Sequence, residues 1–371
     1  MMIEKEQILE LFYWFHRHPE LSYEEFATTE KIREVLLQAG VEILPLPLET
    51  GLVAQVRGEQ EGETLALRCD IDALPVSEES GLFYSSEHPG KMHACGHDFH
   101  IMAGIVAALF LQENRARLKG CVKIFFQPAE ESAVGAKKIL ETGAMEGVWK
   151  VWGLHADPTN PVGTIGLREG YVAASVDRFV ITVEGIGCHG AHPDDGIDPI
   201  PAAAAMVQAF QTIVSRNINP FHPALISVTR VEAGKTWNVI PQTAEIEGTV
   251  RTMERADREL FKKRLFEIAD RTAAAYGAQA RIQWLPGSPA VYNDGEMVRE
   301  AVLKAKECGY EVVPQEQSLG GDDFSFYTEN VPGCYIKIGT GVGPTIHQPK
   351  FAVDPEAIVP AGEFLAKLML D

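Results

Sequence analysis

Thr64-Leu65-Ala66-Leu67-Arg68-Cys69-Asp70-Ile71-Asp72 is a short, mostly apolar run that ends in two acids. Its length and its lack of turn residues predict a buried strand. Val122-Lys123-Ile124-Phe125-Phe126 repeats the pattern and runs into Gln127-Pro128-Ala129-Glu130-Glu131. Lys150-Val151-Trp152-Gly153-Leu154 repeats it again and runs into His155-Ala156-Asp157. Helical patterns lie between these strands. The most apolar, residues 101–111, is rich in Ala and Gly and far short of the ~20 residues that span a bilayer, so it reads as a buried helix. Alternating strands and helices predict an α/β sheet with helices on both faces. Each strand ends in polar residues, as expected where ligands gather beyond the carboxyl ends of an open α/β sheet.

Upstream, an amphipathic helical stretch ends near His18-Pro19, and a second runs from about Tyr23 to Ala39 with Gly40 placed to close it. Downstream, from about Ser175, the order changes. Residues 178–184, 224–232, 244–251 and 279–284 read as strands, and 199–216 and 254–276 as helices. This predicts a compact α+β insertion of roughly 110 residues. Pro286-Gly287-Ser288-Pro289 then returns the chain to helix and strand patterns, a strand at 334–338 and a last helix to Leu370. The expected architecture is a discontinuous domain with a central mixed sheet, residues 1–175 and 288–371, interrupted by an α+β domain at 176–287. No internal repeat or low-complexity tract is apparent.

At 371 residues the chain suits two domains, and 46% hydrophobic with 23% charged residues excludes a disordered or fibrous protein. A formal net charge of −19 repels phosphate backbones and anionic lipid, which argues against nucleic acid and membrane as partners. The opening Met1-Met2-Ile3-Glu4-Lys5-Glu6 carries acids where a secretory signal is basic and then apolar. Six cysteines, at 69, 95, 121, 188, 308 and 334, form no CxxC pair. A cytoplasmic location follows as the expectation, with thiols serving metal or chemistry rather than bridges.

The densest polar cluster is His93-Ala94-Cys95-Gly96-His97-Asp98-Phe99-His100. A thiolate and an imidazole two positions apart, with Gly between them, can point at one cation. The alternative is a helix start whose Asp98 caps amides. Glu130 and Glu131 are either a solvated loop or a divided pair, one acid binding a metal and its neighbour taking a proton from water. Asp70 and Asp72 project from one side of an extended segment, so either could orient a ligand histidine. His155 ends a strand, and His347 lies in a glycine-rich loop. Singly each could be an ordinary hydrogen-bonded histidine; together the segments offer enough ligands for two divalent ions.

Across nearly its whole length the chain resembles the M20 metallopeptidase family, in the amidohydrolase branch of N-acyl-amino-acid deacylases, N-acetyldiaminopimelate deacetylases and indoleacetyl-amino-acid hydrolases. The likeness rests on His18-Pro19-Glu20-Leu21-Ser22, Arg68-Cys69-Asp70-Ile71-Asp72-Ala73-Leu74-Pro75, the cluster at 93–100, Gln127-Pro128-Ala129-Glu130-Glu131, the stretch 187–193, Asn238-Val239-Ile240-Pro241, Gly248-Thr249-Val250-Arg251-Thr252, Gly321-Asp322-Asp323-Phe324 and His347-Gln348-Pro349-Lys350-Phe351. It implies a di-metal catalytic domain and an inserted lid through which the protein forms a homodimer. It also implies Cys95, His97, Glu131, His155 and His347 as metal ligands, Glu130 as general base, and Asp70 or Asp72 as the supporting carboxylate. His189, rather than His192, is the implied lid histidine reaching the scissile carbonyl, in cis or in trans. Arg251 and Asn238 would hold the substrate's carboxylate and carbonyl; for Arg251 a surface pairing is the alternative. Cys69, Cys188 and Gln348 depart from the usual Ala, Gly and Ser of the family, and the two cysteines read as packing substitutions.

The expected reaction is metal-assisted hydrolysis of N-acyl, above all N-acetyl, amino acids, with water as nucleophile. No GxSxG turn or GxxxxGK[ST] loop is present to supply an acyl-enzyme or P-loop route. The soft thiolate favours Zn and the carboxylates admit Mn, with Ni and Co as further candidates. Dipeptidase or carboxypeptidase activity on the same fold, a noncatalytic metal-holding scaffold, and a two-metal phosphoesterase are the rival readings.

Overall fold

The computed structural model describes residues 5–370; Met1 to Glu4, the first part of the opening segment with one of its two acids, lie outside the described residues. The chain forms two compact units, one of residues 1–172, 292–316 and 323–371, the other of 173–291 and 317–322. The excursion at 317–322 has no counterpart in the sequence reading. It is held to the inserted unit by the Ala174 amide, which donates to the Ser318 and Gly320 carbonyls at 3.1 and 2.9 Å.

The larger unit is built on an eight-stranded mixed sheet. Its order is Glu42–Ile43, Leu52–Arg57, Lys119–Gln127, Gln60–Asp70, Val148–Asp157, Gly333–Gly339, Thr164–Leu167, Glu311–Pro314. The four central strands run parallel, and in register Asp70 lies beside Gln127 and Lys337 beside His155. The polar tails of three apolar strands therefore finish at one rim. The helix His97–Glu113 is almost wholly buried against the sheet, with Ile358–Leu370 beside it. The short helices Gly135–Glu141 and Ser325–Thr328 cover the opposite face. Six-residue and shorter strands at the sheet's margins escape the sequence reading because they lack a long apolar run.

Cys69 is fully buried where the helix His97–Glu113 crosses the sheet, and a Cβ added at Gly104 would lie 2.7 Å from its sulfur. Its thiol thus fills the space that a glycine in the helix opens, a packing role. All six cysteines are unpaired. No described helix is long and apolar enough to cross a membrane.

The inserted unit is a four-stranded antiparallel sheet, in the order Ala224–Ala233, Thr243–Thr252, Ser175–Glu184, Gln279–Pro286. Strict alternation of buried and accessible residues along Ser175–Glu184 turns Phe179, Ile181 and Val183 inward. They pack beneath Met206 and Phe210 of Pro199–Arg216 and Phe261 and Leu265 of Arg255–Ala275. The other sheet face carries Arg178, Arg230, Glu245 and Glu247.

Candidate active site

At the rim of the large sheet, Gly96 takes a left-handed conformation (φ 82°) at the start of the helix His97–Glu113. A Cβ there would lie 2.8 Å from the Ala156 side chain, so the glycine allows the Cys95–His97 turn to press against the end of the strand Val148–Asp157. As a result Cys95 Sγ lies 3.5 Å from His155 Nε2. The His155 Nδ1–H donates to the Ala156 carbonyl at 2.7 Å, and the Ala156 amide donates to His100 Nε2 at 2.8 Å. His100 is thereby left with its proton on Nδ1, directed at Asp70. One peptide thus fixes two imidazoles, and His155 turns a bare Nε2 toward the thiol.

His97 Nε2 lies 3.9 Å from Glu131 Oε1, which is 3.5 Å from His347 Nε2. Cys95, Glu131 and His347 each bring a ligand atom within 4.8 Å of the others, and so do His97, Glu130 and Glu131. The five expected ligands and Glu130 are therefore gathered at one rim. His97 Nε2 and Glu131 Oε1 are buried without a hydrogen-bond partner among the described residues. Unpartnered buried nitrogen and oxygen that converge with a thiol fit a cation well and fit an apolar core badly. Burial pushes the Cys95 thiol up to about 12, so a thiolate here needs a positive charge beside it. Burial holds His155 well below the usual imidazole value and therefore neutral, as a ligand must be. Burial also disfavours the His97 imidazolium, but Asp70 and Asp72 outweigh it and hold His97 well above the ordinary value; proton and cation compete for this ring.

The two acids left open by the sequence make different contacts. Asp72 lies 3.3 Å from His97 Nδ1 and accepts the Glu130 and Glu131 amides, both at 3.1 Å, and the Ser22 hydroxyl at 2.7 Å. Asp70 is clamped by Arg68 and His100, with Asp323 2.7 Å from the same guanidinium. Three backbones with positive φ at non-glycine residues, Ala129 (54°), Ala133 (54°) and His347 (65°), flank or carry the gathered side chains, as strained residues at functional sites often do. The loop bearing His347 is tied to the cluster by its own amide, which donates to the Ala94 carbonyl at 2.7 Å.

On the inserted unit, His189 ends the strand Cys188–His189, which pairs with Val239–Ile240, and Asn238 directly precedes that partner strand; the Gly190 amide donates to the Asn238 carbonyl at 2.8 Å. His189 is exposed, its Nδ1 accepting the Ala191 amide at 3.0 Å, and the His192 ring stands 5.6 Å away. Arg251 is on a different sheet, half-buried, bonded to Thr249 and to the Val250 carbonyl rather than to a carboxylate.

Sequence reasoning passed over the buried supports. Arg68, Gln127 and Asp323 interlock beneath the rim, and His16 sits between Asp98 and Glu78 at 2.6 and 3.2 Å. Their partners are tens to hundreds of residues away, so the motifs that contain Arg68, Gln127 and Asp323 do not announce the contacts between them.

The profile of Peptidase family M20/M25/M40 matches residues 66–371. The N-acetylcysteine deacetylase of Bacillus subtilis (strain 168) is 47% identical over 95% of this chain and 93% of its own. An N-acetyl-L-cysteine deacetylase of the same organism is 44% identical over 99% and 89%. Among solved structures, the YXEP protein of Bacillus subtilis, a dinuclear metal-binding peptidase from the M20 family, superposes with a TM-score of 0.90 at 43% identity, covering 99% of this chain and 97% of that one. The chain belongs to Peptidase family M20/M25/M40 and is an amide-bond hydrolase of that family.

Proposed function

We propose that the protein hydrolyses the amide bond of N-acyl amino acids, N-acetyl substrates foremost, releasing a carboxylate and a free amino acid. The observation that carries this is the convergence of Cys95, His97, Glu131 and His347, with His155 Nε2 3.5 Å from the Cys95 sulfur and unpartnered His97 and Glu131 atoms beside Glu130. These five residues would hold two divalent cations, which when bound polarise the acyl carbonyl and acidify water. The relatives named for deacetylation of N-acetylcysteine, and the dinuclear peptidase, support the substrate class and the metal count. The thiol favours zinc.

Glu130 takes the proton of the attacking water on its carboxylate and passes it to the departing amine. Asp72 keeps this division of labour in place, facing His97 Nδ1 and holding the amides from which Glu130 and Glu131 project. His189 would donate to the carbonyl oxygen as negative charge develops, with Asn238 beside it, and Arg251 would receive the substrate carboxylate. A homodimer formed through the inserted unit is part of this reading; light scattering that finds only monomer would remove it.

Purified protein should release amine from N-acetyl amino acids and stop when a chelator is added. Glu130→Gln should keep its metal by elemental analysis and lose about 10²–10⁴ in kcat. Near-normal turnover would exclude Glu130 as the base.

A further inference from the structure

Glu25 is fully buried although it directly precedes the helix Phe26–Gln38, where an acid would ordinarily cap the first turn in water. That task is taken by Glu20, whose carboxylate accepts the Ala27 and Thr28 amides at 3.1 and 2.8 Å. Relieved of it, Glu25 turns inward and accepts the Ala129 amide at 2.8 Å. Asp72 accepts the next two amides, of Glu130 and Glu131. Two buried carboxylates from separate segments therefore hold three consecutive N–H groups, and the first belongs to Ala129 in its left-handed conformation.

We propose that Glu25 is a positioning residue for hydrolysis, anchoring Ala129 so that Glu130 and Glu131 leave the turn in the directions their two tasks require. The inference rests on the roles assigned above to Glu130 and Glu131. An unanchored alanine would relax out of the left-handed region and carry both glutamates with it. Burial raises the Glu25 carboxyl to about 7, so an amide in its place is a close mimic. The Thr50 hydroxyl stands beside this carboxyl, and the amide nitrogen of a glutamine could donate to it.

The experiment compares Glu25→Gln, which keeps the acceptor, with Glu25→Met, which keeps the volume and loses it. Glu25→Asp, which withdraws the carboxylate by one methylene, is a third arm should Met not fold. Zinc affinity is read by chelator competition and kinetics at saturating zinc. The expected result is Gln within about 3-fold of wild type, and Met and Asp about 10-fold or more weaker for zinc and lower in kcat, with KM little changed. Wild-type zinc affinity and kcat in the Met or Asp variant, or equal losses in all three, would overturn the proposal. An active Glu130→Gln would instead sink the base assignment, while the Gln-to-Met difference in zinc affinity would still report the anchor through Glu131.

Discussion

Arg68 and Arg230 make the same kind of contact in opposite surroundings. Arg68 is fully buried beneath the rim of the large sheet, bonded to Asp70, to Asp323 at 2.7 Å and to Gln127 at 3.0 Å. Arg230 stands 45% exposed on the outer face of the inserted sheet, reaching Glu232, Glu245 and Glu247. Water can replace every partner of Arg230 and none of Arg68. The buried set therefore fixes geometry: it holds the strand ends, and the side chains leaving them, in one arrangement. The exposed set decorates a sheet whose stability comes from the apolar layer beneath. Burial alone would raise the Asp70 carboxyl, but Arg68, with His97 and His100, holds it well below the usual carboxylate range.

The contrast breaks most sharply at Arg68. Arg68→Met should lower stability by about 3–5 kcal/mol, because two buried carboxylates lose their counter-charge together. Urea denaturation measures it, and a loss below about 1 kcal/mol would mean that the rim tolerates unpaired charge.

His16 is the next test. Burial lowers its pKa, but the hydrogen bonds to Asp98 and Glu78 more than compensate and raise it to about 9 from 6.5. A value raised on folding contributes stability that is complete below pH 6.5 and is lost as pH climbs through about 9. His16→Gln should therefore cost about 3 kcal/mol at pH 6 and progressively less toward pH 9.5. A difference between variant and wild type that stays flat with pH would show that the ring is held for its shape and not its charge. Arg230→Ala completes the series with the smallest effect, a midpoint barely distinguishable from wild type and indifferent to added salt. A clear salt-sensitive loss would show that the outer face has a structural role.

The same contrast explains what could be read from residue order. The apolar strands around 64–70, 119–127 and 148–157 announce themselves locally, and so do the clusters that follow them. Cys95, His97, Glu130 and Glu131 were legible because each sits within a few positions of a strand end or of another donor. The pairing of Arg68 with Asp323 was not, since 255 residues separate the partners and nothing in either motif says that the two meet. Asp70 and Asp72 are equivalent as letters and differ only in what the fold places around them. Glu25 illustrates a third limit: a helix running from about Tyr23 leaves it as one more acid of the first turn, and only the fold shows that Glu20 caps the helix while Glu25 turns inward.

Gly96 carries a consequence for how this scaffold can change over time. Because a single added methyl group there would collide with Ala156, the distance between a sulfur and an imidazole is set by the lack of a side chain at a third position. A residue with a β-carbon at that position would be strained by the left-handed backbone and would have to push Ala156 aside. The spacing of sulfur and imidazole is therefore tied to the strand end at Ala156, and a change at either residue would be felt at the other.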